Sequence, residues 1–142
     1  MKKVVSSVPE QRFKKFQVSF PDDWELEYIP FPYTDEDLIR ACKGASYLFV
    51  MSTHTVSARV IQSCPHLKMI HVEGVGFDKV DIAAAKEKGI PVCNNKAVNN
   101  GAVAEHAIGL MLAALRRTPR CDREIKTRGF AETQKEFFAE GQ

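Results

Sequence analysis

The chain has 142 residues, a length that suits one domain with its own apolar core. Hydrophobic residues make up 44% and charged residues 27%, the balance of an ordinary soluble globular protein rather than a disordered or fibrous one. Against 20 basic residues stand 18 acidic ones, and a net charge of +2 gives no reason to expect a nucleic-acid or membrane partner.

Short apolar runs alternate with helical patterns along the chain, the sequence form of a parallel α/β sheet. Residues 3–8 read as a first strand, and 9–16 as a loop or short helix. Residues 25–29 alternate and read as a second strand at a sheet edge. Thr34 opens a helix with Asp37 as its capping-box partner, Leu38, Ile39 and Cys42 as its buried stripe, and Gly44 as its stop. Residues 45–51 are continuously apolar, as expected of a strand covered on both faces. Ser57 starts a short helix with Val60 and Ile61 inward, ended by Pro65. Residues 68–72 form a fourth strand, 80–88 a helix closed by Gly89, and 91–94 a short fifth strand. Five strands joined by helical crossovers predict a flavodoxin-like, doubly wound parallel sheet of order 2-1-3-4-5.

The pattern then changes. Asn94-Asn95 and Asn99-Asn100-Gly101 make a polar turn that feeds a long helix over residues 102–117. Val103, Ala107, Leu110, Met111 and Leu115 line one side, and Ala104, Ile108, Leu112 and Ala113 make the other nearly as apolar, so this helix calls for cover on more than one face. Residues 118–142 are charged and weakly helical, with Phe130, Phe137 and Phe138 as isolated anchors. The four cysteines, Cys42, Cys64, Cys93 and Cys121, form no C-x-x-C pair. They read as small apolar residues of a reducing compartment rather than as nucleophiles. No apolar run follows the basic N-terminus and none is long enough to span a bilayer, so a cytoplasmic protein is expected.

Three places invite a functional reading. Gly74-Val75-Gly76-Phe77-Asp78-Lys79 follows a strand and precedes a helix, but Lys79 stands at the sixth position of a dinucleotide fingerprint, and no acidic residue closes the next strand. Two glycines there allow free amides for a small anion, or make a plain turn. Ser52-Thr53-His54-Thr55 follows the central strand, where ligands bind in open sheets. Its hydroxyls suit a carboxylate, though Thr55 and Ser57 equally suit a helix cap. His54 has no carboxylate near in sequence and reads as a solvent-facing loop residue before a base. His66, His71 and His106 lack metal-ligand spacing. His71 shares a strand face with Glu73, and Glu105-His106 reads as a dipole-favoured acid beside a half-buried histidine.

The block over residues 67–117 is more specific than its parts. Leu67-Lys68-Met69-Ile70, Gly74-Val75-Gly76-Phe77-Asp78-Lys79-Val80-Asp81, Ala84-Ala85, Lys88-Gly89-Ile90-Pro91-Val92, Asn94, Asn99 and Val103-Ala104-Glu105-His106 through to Arg116-Arg117 resemble the D-isomer-specific 2-hydroxyacid dehydrogenases. The resemblance implies a substrate-binding domain at 1–100, split around an inserted Rossmann domain, and a linking helix and tail at 101–142 leading into that NAD-binding domain. By the same resemblance, Val75 and Gly76 offer backbone N–H groups to the substrate carboxylate. Ser52, Thr53, His54 and Thr55 close over the substrate, Asn99 lies near the domain junction, and Val103 faces the cofactor. Lys96-Ala97 stand where the family has Pro-Gly, and Phe130 where it has a tryptophan.

The resemblance places the catalytic arginine, glutamate and histidine beyond residue 142. The implied protein moves hydride between NAD or NADP and a 2-hydroxy or 2-keto acid, with no metal. This chain alone is expected to be inactive and to bind no cofactor, and to pair as a homodimer through its long helix and tail. A stand-alone small-anion binding or regulatory module is the alternative. A flavodoxin or a receiver fits less well, because Ser6-Ser7-Val8-Pro9 is a poor phosphate loop and lacks a receiver's acidic cluster.

Overall fold

A computed structural model of the chain describes residues 1–141, which divide into two compact units, Met1–Ala97 and the residues from Val98 onward. In the first unit, β1 (Lys2–Ser6), β2 (Trp24–Tyr28), β3 (Tyr47–Met51), β4 (Met69–Glu73) and β5 (Val92–Asn94) form one sheet of order β2-β1-β3-β4-β5. All four pairings are parallel, with Val4 opposite Leu26 and Tyr47, and Ile70 opposite Leu48 and Val92. The expected flavodoxin-like topology, with β2 at an edge, is the observed one.

Local signals set the helix ends. In α2 (Asp35–Ala41) Thr34 accepts from the Asp37 amide while the Asp37 carboxylate accepts from the Thr34 amide, a complete capping box. Ser57 caps α3 (Ala58–Ser63) and Asp81 caps α4 (Ile82–Glu87). After α2 and α4 the chain turns through Gly44 and Gly89, both at positive φ.

The two faces of the sheet are unequally covered. Leu48, Val50, Ile70 and Val72 point to one face and are fully buried with Leu38 of α2, Val60 and Ile61 of α3 and Ala84 and Ala85 of α4. On the other face, Tyr47, Phe49, Met51, Met69, His71 and Glu73 are only half-buried. There the one helix is the six-residue α1 (Glu10–Lys15), which presents Phe13 to Phe20 and Tyr28. The expectation that residues 45–51 are covered on both faces is thus corrected. One turn and a half of helix spans too little of a five-stranded sheet to cover it.

The second unit holds α5 (Asn100–Leu115), α6 (Thr118–Arg128) and α7 (Phe130–Ala139). No residue of α5 is buried, and Ile108, Leu110, Leu112 and Leu115 keep more than half their surface exposed. The tail read as weakly helical is two definite helices. Arg120 pairs with Glu136 at 2.6 Å and Glu140 at 3.0 Å, and Arg128 with Glu136, so cross-helix charge supplies what the tail's apolar pattern does not. Phe137 lies under the Arg120 guanidinium, 5.1 Å from its ring centre, and so serves its own unit, whereas Phe130 and Phe138 remain exposed. At the boundary of the units Ala97 sits at φ +66°, a left-handed conformation that costs a non-glycine residue about 1 kcal/mol.

Candidate functional site

In an open parallel sheet, ligands approach the carboxyl ends of the strands. At that edge the ends of β3, β4 and β5 are tied together by hydrogen bonds. The Ser52 amide donates to the Glu73 carbonyl at 3.3 Å, and the Asn95 amide to the Gly74 carbonyl at 2.9 Å. Asn94 Nδ2 donates to the Val75 carbonyl at 2.6 Å. Gly74 has φ +145°, and a Cβ there would lie 2.7 Å from Ser52 Oγ and 2.8 Å from Ser52 Cβ. Only glycine fits, on backbone and steric grounds alike. The amides of Val75 and Gly76 donate to no acceptor among the described residues, and both residues are exposed. Two consecutive free N–H groups at a strand end are groups that can donate to a small anion.

The loop after β3 is not uniform. Ser52 is half-buried against Gly74, Thr53 and Thr55 are exposed, and Ser57 rather than Thr55 caps the next helix. His54 overturns the expectation of a solvent-facing residue, since only 5% of it is exposed. Its ring stacks on Phe31, with centres 4.0 Å apart and planes 9° apart, and meets Tyr33 edge-on. Nδ1 shares a 2.8 Å hydrogen bond with Ser7 Oγ. Burial holds its pKa below the ordinary imidazole value, so the ring is neutral and hydrogen-bonded at neutral pH. No carboxylate among the described residues hydrogen-bonds it. His54 also lines a cavity of about 440 Å³ with Ser7, Glu10, Tyr28, Phe31 and Met51.

Asn99 and Val103 belong to the second unit. Asn99 precedes α5 as an exposed N-cap without a side-chain cap bond, and Val103 is exposed on the first turns of that helix. His106, expected half-buried, is exposed as well. Of the residues singled out by sequence, the structure therefore gathers Ser52, Val75 and Gly76 at the ends of β3 and β4, with His54 turned toward the segments that follow β1 and β2.

Sequence reasoning missed Arg12, whose Nε donates to Glu73 Oε1 from α1, leaving Glu73 Oε2 buried without a partner. Period two had put His71 and Glu73 on one face. That face lines a groove of about 400 Å³ together with Phe13, Phe16 and Phe49. The turn into α4 is poorly suited to a dinucleotide's pyrophosphate. At the N-terminus of α4, where a pyrophosphate would need free amides, the Asp81 carboxylate already accepts from Ala84 N at 2.9 Å. No group of three or more His, Cys, Asp or Glu suited to a metal occurs among the described residues. No helix there is long and apolar enough to cross a membrane.

Comparison with known proteins gives consistent matches. The model for the D-isomer specific 2-hydroxyacid dehydrogenase catalytic domain matches residues 3–140. D-3-phosphoglycerate dehydrogenase of Archaeoglobus fulgidus is 46% identical over 91 residues, which are 64% of this chain and 17% of that protein. Among solved structures, a 2-hydroxyacid dehydrogenase from Ketogulonicigenium vulgare superposes with a TM-score of 0.72 at 25% identity. The match covers 93% of this chain and 42% of that one. D-lactate dehydrogenase from Aquifex aeolicus, solved with NAD and lactic acid, gives 0.67 at 25% identity, over 91% and 38%. The chain thus spans about a sixth of that curated relative and about two fifths of these solved chains.

Proposed function

The chain belongs to the D-isomer specific 2-hydroxyacid dehydrogenase family, and from that premise we propose that it is the acid-binding part of an NAD(P)-dependent oxidoreductase. The free amides of Val75 and Gly76, beside Ser52 at the strand ends, carry this reading. They receive the carboxylate of a small 2-hydroxy or 2-keto acid, while Thr53, Thr55 and the buried His54 wall the loop next to it. Residues 1–100 are the substrate domain. Residues 101–142 are the linking helix and tail into a nucleotide domain, with Asn99 at the junction and Val103 facing the cofactor. The Asp81 cap on α4 supports placing the dinucleotide elsewhere, and the solved relative holding NAD and lactic acid supports the cofactor's identity. This chain's part in the reaction is to bind and orient the acid, and the setting is cytoplasmic.

We further infer pairing through α5. If Ile108, Leu110, Leu112 and Leu115 stay in water, they forgo roughly 6–12 kcal/mol of burial at about 1.5–3 kcal/mol each. An apolar patch of that size seeks a partner, and a two-fold pairing of identical helices is the simplest closed arrangement.

Two charge-assisted hydrogen bonds are worth roughly 3–6 kcal/mol before the entropy of binding is subtracted, which corresponds to millimolar affinity at best. Titrating the ¹⁵N-labelled chain with pyruvate or oxamate should move the amides of Gly74, Val75, Gly76 and Phe77 first. Shifts confined to residues 6–10 would show that the acid binds at the β1 loop instead.

A further inference from the structure

We infer that Asn94 is a positioning residue which fixes the direction in which the anion-binding peptide points, an inference that rests on the carboxylate reading of Val75 and Gly76. In a trans peptide the carbonyl and the following N–H point in opposite directions. The Gly74–Val75 peptide has its carbonyl held by the Asn95 amide, so the Val75 N–H points away from that anchor. The Val75–Gly76 peptide has its carbonyl held by Asn94 Nδ2, so the Gly76 N–H points away from Asn94. Both anchors come from the end of β5, and β4 lies between β5 and β3 in the sheet. Two adjacent dipoles are thereby aligned with their positive ends turned from β5.

The alignment needs enforcing at the second peptide. Gly76 lacks a Cβ, so the Val75–Gly76 unit rotates as a whole at little cost, and a half-turn replaces an N–H with a C=O. The flipped form presents a carbonyl oxygen to the ligand and repels an anion. Nearby charge does not oppose the flip, because the one side-chain atom close to Gly76 is the carboxylate of Asp78 (Oδ2, 3.4 Å from where a Cβ would stand). The Asn94 amide opposes it by donating to the carbonyl in the productive orientation. Asparagine suits the position because it carries a donor on a short stem. Aspartate has the same shape and no donor, and alanine has neither. The Val75 amide is different, since its orientation is held by the main chain of Asn95 and by no side chain.

Residual dipolar couplings of the intact 142-residue chain test this without any ligand. In the wild type, the Val75 and Gly76 N–H couplings should fit the orientation set by the other amides of residues 1–97. In Asn94→Ala and Asn94→Asp the Gly76 coupling should fall by about half or more through averaging. The Val75 coupling should persist and the melting temperature should barely move. A Gly76 coupling already averaged in the wild type, or one unchanged in both variants, overturns the inference whether or not the variants fold well. Oxamate titration then separates this inference from the carboxylate reading. Loss of one charge-assisted hydrogen bond should weaken binding about tenfold in either variant. Equal affinity in wild type and variants overturns the role of Asn94 and leaves the carboxylate site standing. A wild type that binds no oxamate, yet shows the expected couplings, removes the carboxylate reading and retains the orientation set by Asn94.

Discussion

Residues 1–97 and the residues from 98 onward use apolar side chains in opposite ways. In the first unit Val5, Leu38, Leu48, Val50, Ile61, Ile70 and Val72 are all but sealed from solvent. In the second, Thr133 is the one buried residue among those described, and its hydroxyl donates to the Gly129 carbonyl at 2.9 Å. There the large apolar side chains of α5 face outward, while α6 and α7 are joined by arginine–glutamate pairs. The first unit buries its hydrophobic surface within itself, and the second leaves much of its own exposed. The difference shows that an apolar helix in a sequence is not by itself evidence of a core.

The sharpest way to break this contrast is a pair of truncations. Leu48→Ala should lower the stability of the first unit by about 2–5 kcal/mol, because it opens a cavity in a sealed layer. Leu112→Ala on α5, measured at concentrations low enough to keep the chain monomeric, should stay within about 0.5 kcal/mol, as a surface change does. Urea unfolding followed through the single tryptophan, Trp24, and through helical circular dichroism would compare them. Similar losses in both variants would erase the distinction.

Next in size is association. Sedimentation at micromolar concentration should give a dimer for the wild type and a monomer for Leu112→Lys. Monomers in both, with no change in stability, would show that α5 needs no partner.

The smallest effects come from pH and should fall in two windows. His54 has a depressed pKa because burial penalises its charge, so the unfolded chain binds the proton more readily. Its contribution is complete above the unfolded imidazole value, about 6.5, and is lost as pH falls through the lower folded value. In the second unit Arg128 lowers the pKa of Glu136, and Arg120 lowers that of Glu140. Those contributions are complete above the ordinary glutamate range and are lost only as pH falls below it. An acid titration should therefore perturb Trp24 before it loosens α6 from α7, and His54→Gln should flatten the first phase alone. A single phase reported by both units would contradict the assignment.

What the sequence disclosed follows the range of the forces involved. The caps at Thr34, Ser57 and Asp81 are contacts within a few residues; the first two were legible, while Asp81 was read as part of the helix it caps. The strand order followed from crossover helices of ordinary length, and the glycine turn stood out by composition. Contacts across the chain were not legible. His54 is buried by Phe31 and Ser7, 23 and 47 residues away, so no window of sequence could reveal it. The same holds for Arg12 on Glu73, and for Asn94 on Val75, whose bond depends on β5 lying beside β4. The tail read as no more than weakly helical because pairing between α6 and α7, rather than a hydrophobic period, defines its helices.

The close approach of Gly74 to Ser52 has a genetic consequence. Two independent obstacles guard position 74, a φ of +145° and the serine side chain 2.7 Å from any added Cβ. Trimming Ser52 to glycine would clear the second obstacle and leave the first untouched. No single second-site change at the neighbouring strand end can therefore rescue Gly74→Ala. Suppressor selections starting from that mutant should return true revertants to glycine, and lineages drifting from this sequence should find position 74 a dead end.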